Sequence, residues 1–327
     1  MTAESTLTVR RATSSDRAAV LELLAGALGW DDVGELDGFF AWKHEQNPFG
    51  PSPAWVAMDG TRIAGFRTFL RWEFIDGSGT IRRAVRAVDT ATHADYRGRG
   101  VFRALTLAAV DELTDDGVEF VFNTPNDQSR PGYLTMGWQT VGRLPAAVRM
   151  RGMTGALRML RARVPAERWP LAGGGGETAS DLLRHPSVTA LLERLPASTG
   201  LCTRRSVAYL QWRYGYAPLG YRAIAVGDDP ARGLAIFRVR RRGDAREAAL
   251  CEVLTPAGSA AAVKQLCGSV ARASGADYAI RLGARGAGFV PLPRQGPILT
   301  WRSLATRDKV APAASRWQLS LGDVELL

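Results

Sequence analysis

The sequence predicts an α/β chain built on a duplicated domain, and three observations carry that prediction. The runs Ala54 to Met58, Arg62 to Phe74 and Ile81 to Thr92 are β-rich and are separated by Asp59-Gly60 and Asp76-Gly77, the dipeptides that tight hairpins prefer. They read as an antiparallel meander. After Arg97-Gly98-Arg99-Gly100 a helical pattern runs to about Asp115, Gly117 stops it, and Val118 to Phe122 returns as a strand, which makes a β-loop-α-β unit. Finally, Trp42 and Pro48-Phe49-Gly50 recur as Trp212 and Pro218-Leu219-Gly220 at a common offset of 170 residues, and both copies then enter a β-rich run and a turn.

Taken in order, Leu7 to Arg10 reads as a short strand. Thr13 or Ser14 caps a helix with Asp16 in its first turn and Val20, Leu21, Leu24 and Leu28 on one face. The aromatic residues Phe39, Phe40, Trp42, Phe49 and Trp55 precede or open the meander; they wall a groove or form core, and the partial echo in the second half favours core. The regular pattern fades after Arg149, and Ala172-Gly173-Gly174-Gly175-Gly176-Glu177 is the clearest tether. The expected partition is residues 1–148, a connector rich in arginine and glycine at 149–200, and a second domain at 201–327. In the second copy, Leu250 to Ala271 passes from strand to helix through Thr255-Pro256-Ala257-Gly258, without an Arg-x-x-Gly loop.

Composition removes several function classes. The chain has 327 residues, 46% of them apolar, enough for more than one core. No stretch approaches the roughly 18 uninterrupted apolar residues of a membrane span. Met1 to Thr8 is not a charged start followed by an apolar run, so a cytoplasmic location is expected. Cys202, Cys251 and Cys267 include no C-x-x-C pair, and neither a disulfide framework nor a metal site is expected. The net charge of +10 is nearly all arginine, the only lysines being Lys43, Lys264 and Lys309. Between Arg143 and Arg168 seven arginines face the single acid Glu167. Without aromatic interleaving this reads as a solvated face rather than a nucleic-acid surface.

The loop Arg97 to Gly100 suggests chemistry. The first amides of a helix have no internal acceptor and, with the helix dipole, attract anions. Glycine lets the main chain approach a phosphate, and arginine adds charge-assisted contacts. Arg97, Gly98, Arg99, Gly100, Val101 and Phe102 therefore read as a pyrophosphate cradle.

Downstream lie Asn126, Ser129, Tyr133, Gly137 and Trp138. With these residues the sequence resembles the GNAT superfamily of acyl-CoA-dependent N-acyltransferases. Its Arg/Gln-x-x-Gly-x-Gly/Ala loop is matched by Arg97 to Phe102, and its Asn-x2-Ala/Ser-x3-Tyr-x3-Gly-aromatic motif by Asn126 to Trp138. The resemblance covers about residues 5 to 145. Phe102 stands where the family usually has glycine or alanine, a variant found in larger tandem members, and Ala94 stands where many relatives have proline.

The resemblance implies two tandem GNAT-like domains, each a mixed, mostly antiparallel twisted sheet flanked by helices, the first catalytic and the second degenerate. It implies acetyl-CoA or another acyl-CoA as co-substrate, with no metal, and a small-molecule or peptide amine as acceptor. The main chain of Thr90, Ala91, Thr92 and His93 would hold the pantetheine and polarise the thioester. Asn126 and Ser129 would contact the cofactor arm, and Tyr133 would protonate the departing thiolate. Asn126 also reads as a turn or cap residue. Asp89 reads either as the general base, its proton affinity raised by apolar burial, or as a buried anchor shaping the strand. His93, and Asp323, Glu325 or the terminal carboxylate of Leu327, are weaker alternatives, and some relatives use a water chain. An aminoacyl-tRNA-dependent transferase, a non-catalytic acyl-CoA-binding scaffold and a nucleic-acid module stand as rival readings. The acceptor, acyl length and oligomeric state are open at this level.

Overall fold

The computed structural model describes residues 7–29, 36–171, 173–283, 285–305 and 310–325, so Ala172, Lys309 and Leu327 lie outside the described residues. The chain folds into two compact units, each assembled from separate stretches of sequence. The first comprises Met1–Phe74, Ile81–Gly142 and Ile298–Ala313, the second Ile75–Thr80, Arg143–Pro297 and Ala314–Leu327.

The first half of the chain runs β1 (Thr8–Arg11), α1 (Arg17–Leu28), α2 (Leu36–Phe40), β2 (Ala54–Asp59), β3 (Arg62–Ile75), β4 (Ile81–Thr92), α3 (Val101–Asp115), β5 (Phe120–Asn123), α4 (Arg130–Thr135) and β6 (Gln139–Arg143). It continues with β7 (Ala146–Met150), α5 (Gly152–Arg161), β8 (Glu177–Thr178), α6 (Ala179–Leu182), α7 (Ser187–Glu193), β9 (Leu201–Thr203) and α8 (Val207–Gly215). Then come β10 (Arg222–Ala225), β11 (Leu234–Arg242), β12 (Ala245–Leu254), α9 (Ala260–Ala273), β13 (Tyr278–Leu282), β14 (Val290–Leu292), β15 (Ile298–Ser303), β16 (Trp317–Gln318) and α10 (Leu321–Val324). The stretch read as a connector thus contains α5, β8, α6 and α7.

In the first unit the strand order is β1-β2-β3-β4-β5-β15-β6. β1 pairs antiparallel with β2 from Thr8↔Met58 to Arg11↔Trp55, and β2 with β3, with a bulge at Ala57/Met58. Gly60 takes a left-handed φ of 58° at the first hairpin, as the Asp-Gly signal requires. The second turn is longer than its Asp-Gly pair suggests. Asp76 Oδ1 receives the amides of Ser78 and Thr80, and Gly79 rather than Gly77 takes the positive φ. At the start of the chain Asp16 accepts the Thr13 amide and both guanidinium nitrogens of Arg10, whose hydrogen bonds hold its carboxyl well below the usual range.

One side of this sheet packs on α3. Trp55, Ala57, Ala64, Phe69, Val85 and Val121 share a core with Val101, Leu105, Ala109, Val110 and Leu113 of the helix. The apolar residues of α3 recur at helical spacing, which is why this helix was legible.

The second unit has strand order β14-β7-β13-β12-β11-β10-β8, with its core on α9. Its run β10-β11-β12-α9-β13 repeats β2-β3-β4-α3-β5. In each unit one parallel pair, β4 with β5 and β12 with β13, is bridged by the intervening helix; the short β9 and β16 of the second unit also pair parallel. Trp42 and Trp212 are both buried near the ends of the helical segments that precede each meander. Among the described residues no helix is long and apolar enough to cross a membrane, and no three His, Cys, Asp or Glu side chains are grouped to hold a metal ion.

Candidate active site

The β4–β5 pair sets the site. Parallel pairing runs through Ala84↔Phe120, Val85↔Val121 and Arg86↔Phe122, whereas β4 continues to Thr92. Beyond Arg86 the strand edge facing β5 has backbone groups outside that ladder, a place for an extended ligand to hydrogen-bond.

At the end of β4 the chain passes through a short helical turn, Ala94–Tyr96, into the Arg97–Gly100 loop. The amides of Arg97 and Arg99 are taken by the carbonyls of Ala94 and Tyr96. Gly98 (φ 76°) and Gly100 (φ 75°) are left-handed, and a methyl built on either meets nothing within 4 Å. The glycines are therefore needed for backbone conformation, and the space above them is open. Gly100 is the N-cap of the 15-residue α3, so the free amides of the first turn point outward beside the exposed Arg97 and Arg99. This is a site that fits a diphosphate.

Gly65 on β3 explains how the helix start is held close to β4. A Cβ there would lie 2.5 Å from Val101 Cγ1 and 3.2 Å from the Ala91 carbonyl oxygen. Phe102, the departure from the usual small residue, stands edge-on to Tyr133 with ring centroids 5.3 Å apart, and takes the room beside Gly132 on α4.

Tyr133 is 5% exposed and packs between Phe102 and Trp138. Among the described residues no side chain hydrogen-bonds to its hydroxyl. Asn126 and Ser129 are brought together: Asn126 Oδ1 accepts from the Ser129 amide at 2.8 Å and from its hydroxyl at 2.9 Å. Asn126 thus shapes the turn that starts α4, one of the two roles read from sequence. His93 is held locally, with Arg62 Nη2 3.0 Å from its Nε2 and the Asp95 amide 3.3 Å from its Nδ1.

Asp89, which the sequence leaves as either a general base or a buried anchor, is tightly held. Its backbone φ is 42°, a strained conformation for a residue other than glycine, and its side chain is clamped. Lys43 Nζ lies 3.0 Å from Oδ1 and 2.7 Å from Oδ2, and His44 Nε2 donates to Oδ2 at 2.9 Å while its Nδ1 meets the Ser52 hydroxyl at 3.1 Å. Burial alone would raise the carboxyl, as expected from sequence, but the Lys43 charge and the His44 hydrogen bond outweigh it and hold it down at about 2. His44 is itself pushed below its ordinary value by burial, so Lys43 is the counter-charge. A carboxylate held this firmly ionised is a poor proton acceptor, and the geometry matches an anchor of the strained strand end.

Asp323 and Glu325 are likewise committed. They lie in the second unit, Asp323 on Arg205 at 3.0 Å and Glu325 on Arg238 at 2.7 Å and on Arg240. Residues that sequence reasoning passed over are Lys43, His44 and Arg67. The available signal was a charge within an apolar run: Lys43-His44 follows Phe39-Phe40-Ala41-Trp42, and Arg67 interrupts Ile63 to Leu70.

With this geometry in place, comparison with known proteins bears on the first part of the chain. The family model of the acetyltransferase (GNAT) domain matches residues 8–141. These residues form a GNAT domain. An L-amino acid N-acyltransferase of Escherichia coli, MnaT, is 24% identical over 149 residues, which cover 42% of this chain and 83% of that protein. Among solved structures, a GCN5-related N-acetyltransferase from Anabaena variabilis superposes with TM-score 0.64 at 15% identity, covering 92% of this chain and 73% of that one. Eis1 from Mycobacterium abscessus does so with TM-score 0.56 at 14% identity, covering 91% and 74%. At such identities the likeness is one of fold, and it extends over both units. The GNAT family is one of N-acyltransferases, and the loop, the β4 edge and Tyr133 all lie within the matched segment.

Proposed function

We propose that the first unit transfers an acyl group, acetyl in the simplest case, directly from acyl-CoA to a primary amine in the cytoplasm. One observation carries this: an open loop with two left-handed glycines and two exposed arginines caps a long helix at the end of a strand whose edge is free of its parallel neighbour. The amides of Gly98, Gly100, Val101 and Phe102, with the side chains of Arg97 and Arg99, bind the pyrophosphate. The main chain of Thr90 to His93 binds the pantetheine arm and polarises the thioester carbonyl, and Asn126 and Ser129 contact the arm near α4.

The neutral amine attacks the carbonyl carbon, the C–S bond breaks, sulfur takes the electron pair, and Tyr133 supplies its proton. The proton of the new ammonium leaves through water, since Asp89 is committed to Lys43 and His44. The second unit, whose α9 opens without the arginine-glycine loop, is a degenerate copy of the same fold. The named activity of MnaT makes free L-amino acids the first acceptors to examine.

Calorimetry with acetyl-CoA and CoA, followed by thiol release over a panel of amines, tests the proposal. Binding with amine-dependent CoA production is expected, and Tyr133→Phe lowers turnover by about 10²-fold with acyl-CoA affinity nearly unchanged. Absence of heat with any CoA derivative refutes it, and stabilisation by CoA without thiol release would favour a binding protein.

A further inference from the structure

Arg67 projects from β3 into the same corner of the first unit and is fully buried. Its Nη1 donates to the Thr90 hydroxyl, while Nε and Nη2 have no hydrogen-bond partner among the described residues. The guanidinium carbon lies 5.3 Å from the ring centroid of Tyr133, 5.4 Å from that of Phe102 and 4.5 Å from that of Phe69. Aromatic faces soften the cost of burying this cation but do not neutralise it.

Among the described residues, the two other arginines buried to this degree have more hydrogen-bond acceptors. Arg213 donates to the Tyr221 hydroxyl and to the carbonyls of Gly322 and Glu325. Arg238 donates to the Arg168 carbonyl and the Glu325 carboxylate. Arg67 has one neutral hydroxyl in place of such a set. A buried guanidinium left without a counter-charge is strongly unfavourable, and retaining one is understandable where a negative charge arises during function.

We propose that Arg67 is a further catalytic residue, the fixed cation that stabilises the thiolate released from the acyl-CoA. The inference rests on the reading above, in which the Thr90 main chain holds the thioester and Tyr133 protonates the sulfur. Arg67 bonds to the first of these residues and stacks against the second. In the ground state the thioester is uncharged and its sulfur gains little from a cation. As the C–S bond breaks, the electron pair collects on sulfur, and the orphaned Nε and Nη2 gain their counter-charge before the Tyr133 proton arrives. An interaction made only with the developing charge raises turnover without tightening substrate binding. Phe102 serves the same end, since its ring helps to close water away from the cation.

The test compares wild type with Arg67→Met, Arg67→Gln and Arg67→Lys in three readouts: turnover of acetyl-CoA with an amine, thermal midpoint, and the titration of the thiol of bound CoA followed by ultraviolet absorbance of the thiolate. Arg67→Met is expected to lower kcat by about 10²-fold with little change in KM for acetyl-CoA. It also moves the bound thiol's titration up by about one pH unit or more, and leaves the thermal midpoint equal or higher, because an unpaired buried charge is replaced by a side chain of similar volume. Arg67→Gln, which can still bond Thr90 but has no charge, behaves like Arg67→Met, and Arg67→Lys keeps most of the thiol shift. An unchanged thiol titration in Arg67→Met overturns the proposal. So does full turnover in Arg67→Gln, or a fall in the thermal midpoint of Arg67→Met that accounts for its lost activity. The thiol titration uses no acceptor, so a wild type that binds CoA but acylates no amine counts against the acyltransfer reading alone.

Discussion

Replacing Asp89 by asparagine separates an anchor from a general base. In the folded chain the carboxyl sits at about 2, against roughly 3.9 in an unfolded chain. A group with a depressed folded value contributes stability that is fully present above the unfolded value and is lost as pH falls through the folded one. With about 1.4 kcal/mol per unit, the contribution is on the order of 2–3 kcal/mol at neutral pH, declining between about pH 4 and pH 2. Asp89→Asn removes it and also takes the carboxylate away from the buried Lys43, so a total loss of roughly 3–5 kcal/mol is expected at pH 7. Denaturant titrations of both proteins at pH 7, 5, 4 and 3 measure the gap, which should stay level down to pH 5 and narrow below pH 4. The pH–rate profile of the surviving folded enzyme should keep the limb that reports amine deprotonation. A stability gap that stays constant down to pH 3, or the disappearance of that limb in Asp89→Asn, refutes the anchor.

Two glycines give sharper steric predictions. Gly65→Ala places a methyl 2.5 Å from Val101 Cγ1, so it should destabilise the fold by about 1–3 kcal/mol in denaturant titration through overpacking and weaken acetyl-CoA binding by displacing the helix start. Gly100→Ala meets no neighbour, and its cost is a left-handed alanine, about 1 kcal/mol of stability. Its acetyl-CoA affinity by calorimetry should fall about tenfold or more, the equivalent of one charge-assisted hydrogen bond to phosphate. Unaltered affinity in Gly100→Ala would remove the loop amides from the site.

The meander, α3 and the duplicated run were legible because each rests on local signals: β-rich runs between turn residues, apolar residues at helical spacing, and a repeated tryptophan. The loop was legible for the same reason, since Gly98 and Gly100 act through their own backbone angles. The choice between base and anchor for Asp89 is not legible in the sequence, because its partners, Lys43 and His44, are brought to it by tertiary contacts across more than 40 residues of chain. Apolar burial was visible in its neighbours, but the opposing cation was not. Arg67 was passed over because a single charge in a β-rich run does not disclose which face it occupies. The turn after Asp76 shows a smaller limit: a dipeptide announces a turn, but the side chain of Asp76 fixes its length.

The first sheet receives β15 from residues 298–303, which pair with β5 from Thr300↔Asn123 to Ser303↔Phe120, and β7, directly after β6 in the chain, is inserted into the second sheet between β13 and β14. During synthesis β5 therefore waits for a neighbour that emerges some 180 residues later, and its bare edge stays available for mispairing throughout that interval. Neither half can be excised as an uninterrupted gene fragment without leaving an open ladder, so shuffling of one half alone is disfavoured even though the two repeat the same strand–helix order.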